Sequence, residues 1–154
     1  MMELDVFPEE LRKQAVGIGQ VLKMDMYPSD RVTPKKGADH KEKRFVIIGK
    51  KGDKLVAALL INSYINPSLY FRIGPYQHEI SADKYDFLDH TSYIDGYSLR
   101  EFDAQRVLRS AKHLGSIEAD DLIEVVGHVC NSPDIKPYML KKYGLTKGKM
   151  PTEM

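Results

Sequence analysis

The chain has 154 residues and a mass of 17.6 kDa, with 23 basic and 22 acidic residues, a net charge of +1 and a single cysteine. That length supports one domain with its own core, and Cys130 alone excludes an internal disulfide framework. The near-zero balance excludes a global field for polyanions, so any nucleic-acid surface has to be a local patch.

Pro8 to Val16 reads as a short helix ended by Gly17 and Gly19, and Gln20 to Met26 alternates loosely as a strand. A polar loop from Tyr27 to Glu42, holding Pro28, Pro34 and Gly37, follows. Loops of that length inside a compact domain are usually functional or disordered. Two apolar runs, Phe45–Ile48 and Leu55–Ile61, flank Lys51-Gly52-Asp53-Lys54 and read as a β-hairpin. Shorter strands are expected at Leu69–Ile73, His78–Ser81, Ser92–Asp95 and Leu99–Phe102. The period then becomes helical, with Leu122, Val126 and Val129 on one face. Ser116 is the expected N-cap, and Glu118, Asp120 and Asp121 lie where the helix dipole favours negative charge. A last helix, Pro137–Tyr143, stops at Gly144. The pattern is α+β, a small curled sheet with helices around it, organised as one domain over 1–146 and a flexible tail over 147–154. No apolar run approaches a membrane span, and the acidic start, Met1–Glu10, lacks a signal-peptide core. A cytoplasmic protein with no membrane partner is expected.

No phosphate-loop, dinucleotide, zinc-protease or paired-cysteine motif occurs. The five histidines, His40, His78, His90, His113 and His128, show no ligand spacing, so no metal and no cofactor are expected. Cys130 falls on an apolar helix face and reads as filler. Asp83, Asp86 and Asp89 read as a solvated loop, with acid/base work the weaker alternative. Tyr64, Tyr70, Phe71 and Tyr76 read as core, with base stacking as the alternative. The distinctive feature is the open end of the hairpin. Lys41, Lys43 and Arg44 precede one leg, and Asn62-Ser63 end the other, so hairpin geometry brings Arg44 close to the polar pair. The cations are either a solvated run guarding a sheet edge or a phosphate site, since a guanidinium offers paired donors to phosphate oxygens.

The segments KYDFLDHTSYIDGYSLREFDAQRV (Lys84–Val107) and LGSIEADDLIEVV (Leu114–Val126) resemble the second half of the MazF/PemK toxin endoribonucleases. Ser92, Leu99, Arg100, Phe102, Asp103 and Arg106 fall in the family's order, with Gly115 and Leu122 following. In the first half, GQVLKMDM from Gly19 resembles the opening strand, and Lys43–Ile48 resembles the strand after the family's long loop. The resemblance implies a curled antiparallel SH3-like β-barrel with a C-terminal helix and peripheral short helices. It implies cleavage of single-stranded RNA without metal, by attack of a 2′-hydroxyl on the adjacent phosphate, in a homodimer silenced by a cognate antitoxin protein. Arg44 matches the arginine that stabilises the phosphorane, and Ser63 or Asn62 matches the residue that hydrogen-bonds the phosphate. The alternative is a catalytically inactive SH3-like module that binds nucleic acid or a protein in the same groove.

The loop adds charge to this end. Lys35, Lys36 and Lys41, with Lys43, form the candidate RNA-binding patch. His40 is the candidate acid/base group, because imidazole changes charge near neutral pH.

Overall fold

A computed structural model describes residues 2–4 and 8–154. Eight antiparallel strands form one sheet: β1 (Met2–Glu3), β2 (Gln20–Met26), β3 (Lys41–Lys51), β4 (Leu55–Asn62), β5 (Gln77–Ile80), β6 (Ser92–Asp95), β7 (Arg100–Asp103) and β8 (Lys112–Ser116). Their order is β1-β8-β2-β3-β4-β6-β5, and β7 pairs separately with β4. Among the described residues five α-helices accompany them: α1 (Glu9–Ala15), α2 (Tyr70–Ile73), α3 (Ala104–Ser110), α4 (Ala119–Asn131) and α5 (Pro137–Lys142). The curled α+β architecture expected from the sequence is the one observed.

The β3–β4 hairpin is the spine. Its strands are buried on both faces, which is why they read as continuous apolar runs rather than alternating ones. On one face Val46, Ile48, Leu59 and Ile61 pack with Leu122, Val125, Val126 and Val129 of α4. On the other, Phe45, Ile47 and Leu60 meet Leu22 and Met24 of β2, Phe102 of β7 and Val107 of α3. The ladder slips between Ile47 and Gly49 in a β-bulge. Gly49 is required there because a Cβ would lie 2.9 Å from the ring of Tyr143, which is fully buried. β4 divides the sheet: its first half pairs with β7, and Ile61 and Asn62 pair with Ile94 and Tyr93 of β6.

Several expectations are corrected. Leu69–Ile73 is not a strand; Tyr70–Ile73 is a helical turn continued by a 3-10 turn at Gly74–Tyr76. Five residues of mixed apolar and polar character cannot separate the two periods, and Pro75, two residues on, lacks a ladder donor. Tyr64, Tyr70 and Phe71 are not core; they are 69%, 57% and 98% exposed. Glu118, not Ser116, precedes α4 as its cap residue, because Ser116 is still held in β8 by pairing with Gln20. The long loop is shorter than expected, since β3 begins at Lys41. Within it, Pro28–Asp30 forms a 3-10 turn anchored by paired Arg106–Asp30 contacts of 2.7 Å. In the 147–154 segment, the Met154 amide donates to Lys50 O at 2.9 Å, and Met154 O accepts from Gly52 N at 2.8 Å. Among the described residues no helix is long and apolar enough to cross a membrane.

Candidate functional site

β3 begins where β4 ends, and a cavity of about 580 Å³ opens there. The register pairs Arg44 with Ile61, so one step further Lys43 stands opposite Asn62. Lys43 Nζ donates to Asn62 Oδ1 at 2.5 Å. Cross-strand partners share a face and successive residues alternate. The partner of Asn62 is therefore Lys43, while Arg44 faces the α4 side with Ile61. Arg44 Nη1 donates to Phe87 O at 3.3 Å. Arg44, Lys43, Lys41, Asn62 and Ser63 nevertheless all line the cavity, because it lies at the strand ends. The hairpin does bring cations and polar groups to one place, though by two faces rather than one.

The two lysines differ in environment. Lys41 is exposed, whereas burial depresses Lys43 to about 8, helped by the positive charges of Lys41 and Arg100. Arg100 is itself lowered, by burial first and by Arg31 second, and its Nε and Nη1 are buried without a hydrogen-bond partner among the described residues. Lys41, Lys43 and Arg100 thus lie within electrostatic reach of one another, and Asp95 only partly offsets the two buried ones. An anion there would relieve that repulsion.

The loop residues divide. Thr33 and Lys41 reach the cavity lining, while Lys35, Lys36 and His40 are exposed and lie outside it. His40 Nδ1 is 2.6 Å from Asp39 Oδ1, and Nε2 is 3.9 Å from Asp25 Oδ2. The Asp39 hydrogen bond, then the Asp25 charge, raise its pKa.

Sequence reasoning missed a second imidazole. His90 lines the cavity with Asp89, and its Nδ1 sits 2.6 Å from Asp89 Oδ1. The Asp89 carboxyl is lowered by a hydrogen bond from its own backbone, then by His90, with a smaller contribution from Arg44. A carboxylate on one ring nitrogen orients the imidazole and leaves the other to exchange protons. The adjacent Asp-His pair was the available signal, but nothing local tells that this loop folds against the open end of the hairpin. Asp83 and Asp86 are exposed and do not line the cavity. Gln77 and Ser92, from β5 and β6, complete the polar lining, and Tyr64 and Leu69 form an apolar rim.

No profile of a known protein family matches the chain, and no curated protein does. Among solved structures, a chain in the crystal structure of MazE-MazF (Form-III) from Deinococcus radiodurans is similar at 17% identity with a TM-score of 0.48, over 73% of this chain and 90% of that one.

Proposed function

We propose that the protein is a metal-independent endoribonuclease of the toxin–antitoxin kind, acting on single-stranded RNA at the open end of the β3–β4 hairpin. The observation that carries this reading is the cavity that gathers Arg44, Lys41, Lys43, Asn62, Ser63 and the Asp89–His90 pair. The resemblance of Lys84–Val107 and Leu114–Val126 to MazF/PemK toxins supports the same class.

In this reading Lys41 and Lys43 hold the backbone phosphates, and Asn62 orients the strand through its tie to Lys43. His90 takes the proton from the 2′-hydroxyl, whose oxygen attacks the adjacent phosphorus. The bond from phosphorus to the 5′-oxygen breaks, and a proton returns to that oxygen. The products are a 2′,3′-cyclic phosphate and a 5′-hydroxyl. Arg44 and Ser63 donate to the phosphorane oxygens as charge builds, and one such preorganised donor is typically worth ~3–4 kcal/mol. His90 rather than His40 takes the acid/base role because it lines the cavity. Lys35 and Lys36 contribute at a distance, by attracting RNA. Assembly as a homodimer, silenced by an antitoxin lying in the same groove, belongs to the same proposal.

The test is incubation of the purified chain with single-stranded RNA and chelator. Cyclic-phosphate ends are expected, and Arg44→Ala is expected to slow their formation by about 10²–10³. Intact RNA with the wild-type chain would end the enzyme reading. Tyr64 on the cavity rim, with Tyr70 and Phe71 exposed a few residues further along the chain, favours the second reading, a binding module whose aromatics stack on bases without cleavage.

A further inference from the structure

His78 on β5 and His128 on α4 are far apart in sequence, yet their rings meet with centroids 6.1 Å apart. Glu124 joins them from one turn earlier on α4, and its Oε2 is 3.7 Å from His78 Nδ1. One ligand atom from each of the three lies within 4.8 Å of the others. A tetrahedral zinc site with bonds near 2.0–2.1 Å needs donor separations of about 3.3 Å, so modest side-chain rotation closes the set.

The other nitrogen of His78 is already committed. Its Nε2 is 2.7 Å from Oδ1 of Asp121, a largely buried carboxylate. Asp121 is fixed in turn by the Tyr85 hydroxyl, which donates to its Oδ2, and by Lys84 Nζ at 2.9 Å. A carboxylate holding one imidazole nitrogen, so that the other faces outward with a defined tautomer, is the arrangement that supports metal-bound histidines. Asp121, Glu124 and His128 share a helix face through their spacing of three and four residues. Backbone packing fixes His128 as well: a Cβ on Gly96, just after β6, would lie 2.9 Å from the His128 Cβ and 2.7 Å from Tyr76 O, so only glycine lets the chain there sit so close to α4 and to the turn before β5.

We propose that His78, Glu124 and His128 bind a borderline divalent metal, zinc foremost, with Asp121 as the positioning residue for His78. Two imidazoles and one carboxylate suit zinc and its neighbours and disfavour magnesium and calcium, which take oxygen ligands. Three protein ligands leave a fourth position for water. The ion clamps edge strand β5 to α4, on the face of β5 opposite Gln77, which lines the hairpin cavity. The clamp is separate from the proposed RNA chemistry and needs no RNA to be seen.

Zn²⁺ and Co²⁺ titrations of the purified full chain, stripped with chelator beforehand, test it. One equivalent is expected to bind, Co²⁺ is expected to show the intense visible bands of a four-coordinate site, and the melting midpoint is expected to rise by several degrees. His128→Gln and Glu124→Gln should each weaken binding at least tenfold, while Glu118→Gln, in the adjoining acidic cluster, should leave it unchanged. Glu124 is exposed, so its variant carries the test even if His128→Gln fails to fold. Absence of saturable binding below about 100 µM, or one-equivalent binding that survives Glu124→Gln, would overturn the proposal.

Discussion

The two ends of the β3–β4 hairpin are built from the same strands and behave as opposites. At the closed end the turn is wrapped: Tyr143 fills the space over Gly49, Lys142 and Tyr143 both reach Glu101, and Met154 hydrogen-bonds the strand end. At the open end the backbone is equally regular, but Lys41, Lys43 and Arg44 meet carboxylates and uncharged polar groups around a cavity. The difference teaches that one hairpin can hold its shape by packing at one end. The other end is then free to keep groups that do not favour the folded state by themselves.

Tyr143→Ala attacks that comparison hardest. Removal of a fully buried aromatic that also donates to Glu101 Oε2 at 2.6 Å should cost about 3–5 kcal/mol by denaturant unfolding. Nucleic-acid affinity per folded molecule should be unchanged; a parallel loss would mean the two ends are coupled. Gly49→Ala, which forces a methyl to within 2.9 Å of the same ring, should cost roughly 1–3 kcal/mol.

Lys43 sharpens the contrast from the open end. Its ammonium is lowered to about 8 in the folded chain from an ordinary 10.5, so the unfolded chain binds more protons between those values. The charged form therefore weakens the fold below about pH 8, and the penalty fades as pH rises toward 10.5. Lys43→Met should be the more stable protein at pH 7 by about 1–2 kcal/mol, after allowance for partial exposure and the lost Asn62 contact. Thermal unfolding of the two proteins across pH 7–10.5 checks this: the gap should close with rising pH, and a gap that widens contradicts the assignment. RNA affinity should move the other way, with Lys43→Met the weaker binder at pH 7.

The smallest effect concerns the loop. Neutralising Lys35, Lys36 and Lys41 together should flatten the slope of log affinity against log salt by roughly one to two units, at about 0.7 per single-strand phosphate contact. Because only Lys41 lines the cavity, a change near the lower bound is expected, with Lys41→Gln alone accounting for most of it.

What was legible in the sequence follows from how local each signal is. The hairpin was readable because its apolar runs are long and Gly52-Asp53 makes the turn, and α4 because its period repeats over three turns. β8 was not, since Lys112-His113-Leu114-Gly115-Ser116 is half-buried along most of its length and offers no alternation. β1 contributes only two residues and has no pattern to read. Arg44, Lys43, Asn62 and Ser63 could be placed together because one hairpin carries them all. His90 and Asp89 could not, as their approach depends on where a distant loop settles. Alternation also explains why Asn62 meets Lys43 rather than Arg44: a shift of one residue changes the face.

The pairing of β2 with β8 has a consequence for how the chain reaches this structure. His113 meets Gln20 across that ladder, 93 positions away in sequence, whereas β3 and β4 are joined by a turn. Hairpins form in roughly 1–10 µs, but contacts between such distant segments close against a larger entropy and arrive late. During that interval the outer edge of β2 waits without its neighbour, next to a hairpin whose apolar faces are still being covered. Refolding at high protein concentration should therefore lose yield through association at that edge, and dilution should restore it.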